Sequence, residues 1–285
     1  MRSLLYAGRI SEAVTHGEAL LQEAGDDRSL EGFEVRHLLA VNLAIVGCWP
    51  GAVARFQREI QRTREDQQLG LLGYTCAEYG GLCSVLGDAQ VALDHTQQGA
   101  EIAEKLGNTL TRVSAYIYLA HAYQRVRSYP EAVTALERAR SIVQESHTCL
   151  EYEPLIVSVL ARAYVDSGDP GPALRAAEEA VTLVRQRGVR LHEPDAHFAL
   201  AYVLLRARGL ESRSAIEAAL GDALRASREM GLRLWEPLIF LERAELARLG
   251  DDETTRQREL REAHRLFLEI GAPIRADEVA KELTA

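Results

Sequence analysis

Lysine is almost absent: Lys105 and Lys281 are the only two, so 31 of the 33 cationic side chains are arginine. Neither lysine stands in a GxxxxGK loop, which removes the phosphate cradle of P-loop enzymes. The four cysteines, Cys48, Cys76, Cys83 and Cys149, show no CxxC spacing. A zinc cluster or a disulfide framework is therefore not expected, and the cysteines read as small buried side chains. Long hydrophobic runs are lacking as well. HLLAVNLAIVGCW is too short and too interrupted to span a bilayer, and MRSLLYAGRISEAVTHGE has no signal-peptide core. The expectation is a soluble cytoplasmic protein with no membrane contact. A net charge of -9 leaves no basic stripe to release counterions, which argues against a nucleic-acid surface.

Aromatics make up 6% of the 285 residues and there are eight prolines, against 47% hydrophobic residues. The bulk is Ala, Leu, Arg and Glu, all good helix formers, so an all-α chain is expected. It repeats. YAGRISEAV, IVGCWPGAV, VLGDAQVAL, RVRSYPEAV and DSGDPGPAL place Ala13, Ala52, Ala92, Ala132 and Ala173 at one position, with separations of 39, 40, 40 and 41. Each phrase reads as a turn followed by an apolar helical pattern, and Gly8, Gly47, Gly87 and Gly168 can close the preceding helix in a left-handed conformation. Each period is then helix, turn, helix.

The first helix of each pair carries a small residue and a larger one three positions on: Ala40 and Leu43, Gly80 and Cys83, Ala120 and Tyr123, Ala161 and Tyr164, Ala201 and Leu204. Residues three apart share a helical face, so the small one lets a neighbouring helix approach while the larger fills the space beside it. This pattern resembles the tetratricopeptide repeat (TPR). It departs in its period of about 40 where 34 is usual, which implies helices longer by roughly a turn. It also weakens after residue 205. The resemblance implies a right-handed α-solenoid of about six to seven TPR-like helical hairpins, with IRADEVAKELT as a closing helix. The whole chain, 1–285, reads as a single solenoid domain whose first repeat is truncated. HTQQGAEIAEKLGNTLTRVSAYIYLAHAYQRVRSYPEAVTALERA and LREAHRLFLEIGAPIRADEVAKEL further resemble the C-terminal TPR region of bacterial signalling proteins that carry adenylate/guanylate cyclase and AAA ATPase domains. Related arrays occur in MalT-like transcription regulators. In such proteins the array senses and binds, and none of their catalytic motifs is present in this chain.

The densest set of potential ligands is LHEPDAHF, with His192, Glu193, Asp195 and His197. An HExxH zinc motif needs histidines four apart on one face; these are five apart, about 140° around a helix, with a proline between them. EYEPLIVSVLARAY, LHEPDAHFALAYVL and LWEPLIFLERAELA align without gaps, which makes Pro154, Pro194 and Pro237 helix-start residues. His192 then falls in the slot of Tyr152 and Trp235, and His197 in that of Val157 and Phe240, so both are expected to pack. The charged stretch GDDETTRQRELREAHR reads as a solvated helix face. No nucleophile elbow or Cys-His pairing appears. Neither catalytic residues, metal nor cofactor are expected, and the chain reads as a non-enzymatic binding module.

The resemblance places binding on the concave face, lined by the first helices. Carried over through the small-residue frame, the groove positions are His37, Tyr74, His121, Gln124, Arg125, Arg162, Tyr202 and Arg206. Arginine and tyrosine there suit a protein or peptide segment bearing a carboxylate or an apolar side chain. The alternative is a small-molecule effector bound in the same concavity and controlling an attached cyclase, ATPase or transcriptional output domain.

Overall fold

Eight prolines are few for 285 residues, and every one of them lies in the first three residues of a helix, where the missing N–H has no intrahelical partner to lose. The structure, a computed structural model, describes residues 2–24 and 27–284, in which fifteen α-helices and three short 3-10 turns account for the regular structure. A short α1 (Arg2–Tyr6) and α2 (Ile10–Ala24) precede six hairpins. These are α3 (Leu30–Ile45) with α4 (Trp49–Glu65), α5 (Leu69–Leu86) with α6 (Ala89–Leu106), and α7 (Thr109–Arg125) with α8 (Tyr129–Ser146). They continue with α9 (Glu153–Asp166) and α10 (Pro170–Arg187), α11 (Glu193–Arg208) and α12 (Arg213–Met230), and α13 (Trp235–Leu249) and α14 (Glu253–Glu269). A last helix, α15 (Pro273–Leu283), ends the array. The chain is thus an all-α, right-handed solenoid of helical hairpins, as the period implies. No helix among the described residues is long and apolar enough to cross a membrane.

Helix starts are set by local chemistry. Asp88, Asn108 and Asp252 accept hydrogen bonds from the backbone N–H groups of Val91, Thr111 and Thr255, at 3.2, 3.0 and 3.0 Å. Within hairpins, Gly47, Gly87 and Gly168 take φ of 83°, 97° and 88°, the left-handed conformation expected of them. In the third hairpin, between α7 and α8, no glycine is available and Arg127 takes that conformation at φ 60°.

The repeated small residues are the points of closest helix approach. Ala13, Ala52, Ala92, Ala132 and Ala173 are all fully buried. At Gly80 a β-carbon would stand 2.6 Å from Thr96 Cγ2, so only glycine allows α5 and α6 to meet as they do. Cys76 and Cys83 are buried, as expected for small packing side chains, but Cys48 is exposed and Cys149 only partly covered. Both of these sit in turns, just ahead of α4 and ahead of the short turn leading into α9, where the chain leaves the packed helices.

The ends of the array meet. A β-carbon on Gly8 would lie 2.6 Å from Met230 Sδ, one on Gly47 2.7 Å from Ile270 Cγ2, and one on Gly87 2.9 Å from Ile274 Cγ2. The turn between α1 and α2 and those of the first two hairpins therefore rest on the ends of α12 and α14 and on the start of α15. One apolar cluster runs across this contact, from Leu39, Trp49 and Phe56 to Phe267, Ile270 and Val279. The superhelix closes on itself, and the concave face becomes an interior.

Candidate functional site

Two repeat-spaced rows of side chains form much of the wall of that interior. The residue after each small position is Val41, Gly81, His121, Arg162 and Tyr202, continued by Glu242; four further on stand Ile45, Val85, Arg125, Asp166 and Arg206. Every one of these lines one of two adjoining cavities, of 190 and 320 Å³. Along each row the chemistry changes from apolar in the early repeats to polar and charged in the later ones. His121 and Val85 line both cavities and mark the junction.

The larger, polar chamber is built mainly on α7, α9, α11 and α13, and it gathers His121, Gln124, Arg125, Arg162, Tyr202 and Arg206. Most of its charge is already matched. Arg206 grips Glu242 with two hydrogen bonds of 2.7 and 3.2 Å, and its guanidinium lies 3.2 Å from the centre of the Tyr202 ring. Tyr202 donates its hydroxyl proton to Asp166 at 2.9 Å. Burial acts to lower the Arg206 pKa, but Glu242, Tyr202 and Asp166 outweigh it and hold it above the ordinary guanidinium value. Burial likewise raises Asp166 and Glu242, against the lowering effect of Arg206. Arg125 and Arg275 share Glu278 of α15.

Arg162 is the exception. It makes no ion pair or hydrogen bond among the described residues, its Nε is buried without a partner, and its guanidinium carbon lies 5.6 Å from the centre of the Phe198 ring. The neighbouring His121 also has a buried Nε2 with no partner. Burial, with Arg162 nearby, pushes its pKa down to about 3, so the imidazole is neutral near pH 7.

The smaller chamber is walled by the N-terminal hairpins and by the turns leading into α9, α11 and α13. Tyr74 lies here, 9% exposed. His37 lines neither cavity; it is 1% exposed, with Nε2 2.7 Å from Glu78 Oε2 and its ring 4.7 Å from that of Tyr74. Tyr152, His192 and Trp235, the three residues preceding or beginning the Glu-Pro helices, all face this chamber. His197 is 9% exposed and packs as Val157 and Phe240 do, with its Nδ1 3.9 Å from Asp222. No group of three or more His, Cys, Asp or Glu among the described residues is placed to hold a metal ion.

Asp166, Glu242 and Glu278 were not anticipated from the sequence. Asp166 stands 40 residues before Arg206, and Glu242 40 after Tyr202, so the repeat frame carried the signal for both. Glu278 comes from α15 through the closure of the superhelix, which no period reveals.

No protein-family model matches the chain. No curated protein is detectably similar in sequence. Solved structures are similar in shape. One is a Rap protein complexed with competence and sporulation factor, at a TM-score of 0.63 and 12% identity, covering 96% of this chain and 79% of that one. Another is aspartyl phosphate phosphatase F from Bacillus subtilis, at 0.56 and 11%, covering 94% and 74%. A third is BtubC (BKLC) from P. vanneervenii, at 0.51 and 16%, covering 75% and 89%. The fold is a TPR-like helical repeat. At such identities the likeness speaks for the fold alone.

Proposed function

We propose that this chain is a non-enzymatic binding module that holds a polypeptide segment in its polar chamber, with a carboxylate of that segment against Arg162. The supporting observation is that Arg162 makes no ion pair or hydrogen bond among the described residues, feeling Asp166 only at longer range, whereas Arg125, Arg206 and Arg275 each contact a carboxylate. Leaving a guanidinium partly buried with a partnerless Nε is costly, and a bound carboxylate removes that cost through charge-assisted hydrogen bonds. Gln124, Arg125, Tyr202 and Arg206 would orient the segment, while His121 meets it as a neutral group. The solved complex of a Rap protein with competence and sporulation factor is consistent with a ligand-holding role for this kind of fold. The resemblance to the TPR regions of cyclase–ATPase proteins and MalT-like regulators would make the module the regulatory part of a bacterial signalling system. Closure of the superhelix would then couple occupancy to curvature.

A display selection with random hexapeptides tests this reading. Enrichment of sequences with an acidic residue or a free C-terminus, lost in Arg162→Met, is the expected result. No enrichment over background, or enrichment unchanged in Arg162→Met, would refute it.

A further inference from the structure

The apolar chamber contains buried carboxylates, and among the described residues that line it there is no lysine or arginine. Asp195 is 6% exposed and makes no hydrogen bond among the described residues; its nearest polar partner is His192 Nδ1, 3.9 Å away. His192 is also 6% exposed, and its Nε2 is buried without a partner. Glu78, 7% exposed, has His37 beside it at 2.7 Å. Repeat packing does not call for this arrangement. In the aligned helix starts, Asp195 stands where the neighbouring repeats have Leu155 and Leu238.

The two carboxylates set the charge of this chamber. Both accept hydrogen bonds only. Around them stand the rings of Tyr74, Tyr118, Tyr152 and Trp235. Burial raises the Tyr118 hydroxyl well above its ordinary pKa, with Glu78 and Asp195 among the charges adding to the shift. Aromatic faces together with buried, underpartnered carboxylates match an ammonium group on an apolar body. Size narrows the choice. An engineered apolar cavity of about 150 Å³ accepts benzene, so 190 Å³ accommodates about eight non-hydrogen atoms. That is one ring with an aminomethyl group.

We propose that the apolar chamber is a binding site for a small hydrophobic ammonium, its cation against Asp195 and Glu78 and its body among Tyr74, Tyr118, Tyr152 and Trp235. This site is separate from Arg162 and stands or falls independently of peptide binding in the polar chamber.

Isothermal titration of the full chain with three near-isosteric probes tests it. Benzylamine should bind saturably, benzyl alcohol about tenfold or more weakly, and benzoate not at all. Asp195→Asn should erase the preference for amine over alcohol, while Arg162→Met leaves benzylamine affinity unchanged. Equal affinity for alcohol and amine in the unmutated chain, or no saturable amine binding, would overturn the proposal without any variant having to fold. So would a folded Asp195→Asn that keeps the preference. A Phe-Ala-Ala amide with a free or acetylated N-terminus separates the sources of the cation. Much tighter binding of the free form than of benzylamine, lost on acetylation, would move the site to a polypeptide N-terminus and overturn the small-amine occupant.

Discussion

Closure of the superhelix is tested most directly at Ile270. This side chain is 1% exposed and touches the turn of the first hairpin at Gly47. Ile270→Ala removes three carbons, a transfer loss of about 2.4 kcal/mol at about 0.8 per buried carbon, and the cavity left behind adds to it. A total near 3 kcal/mol follows, roughly 150-fold in the folding equilibrium. The location of the damage is more informative than its size. In an open array each repeat depends only on its neighbours, so the loss would stay in α13, α14 and α15. Because Ile270 bridges the two ends, amide exchange should also speed up in α3 and α4, far away in sequence. Urea unfolding gives the total, and hydrogen exchange read by mass spectrometry gives its distribution. A cost below about 1 kcal/mol, or faster exchange confined to the last three helices, would refute the closed arrangement.

Two further perturbations address the interior. The folded His121 refuses a proton until about pH 3, whereas the unfolded imidazole takes one near 6.5. Its contribution to stability is therefore complete above pH 6.5 and is lost as the pH falls through that window, by up to about 1.4 kcal/mol per unit. His121→Phe should flatten this loss, and urea midpoints at pH 7 and pH 4.5 that shift as much as in the unmutated chain would contradict it. The double substitution His192→Tyr with His197→Val restores the residues of the preceding repeat. It should keep the helical circular dichroism and melt within a few degrees of the unmutated chain, while the tyrosine fills the apolar chamber and abolishes benzylamine binding in calorimetry.

Much of the fold was legible because repeat packing is local. An alanine at a fixed place in each period, a proline or cap at each helix start and a turn residue between helices depend only on neighbours in sequence. Closure was not legible. Gly8, Gly47 and Gly87 signalled turns, and nothing in their surroundings showed that Met230, Ile270 and Ile274 would press on them. The interior was legible where the frame was kept. The position after each small residue led to His121, Arg162 and Tyr202, all in the polar chamber, whereas His37 and Tyr74, three and six positions before it, turn into the core and the apolar chamber. Extending the frame past residue 205 would have reached Glu242, which neutralises Arg206.

LHEPDAHF shows how such a frame separates packing from function. Its histidines attract attention as possible metal ligands, but each occupies a slot that other repeats fill with an apolar or aromatic side chain, and an imidazole ring fills such a slot acceptably. Asp195 differs in kind: a carboxylate replaces leucine at a buried position, so the repeat loses apolar contact and takes on a desolvated charge. Neither change helps the solenoid stand. In a periodic fold, a residue whose cost the packing does not offset marks a place for a ligand, and for Asp195 the chamber's rings and carboxylates suit a cation.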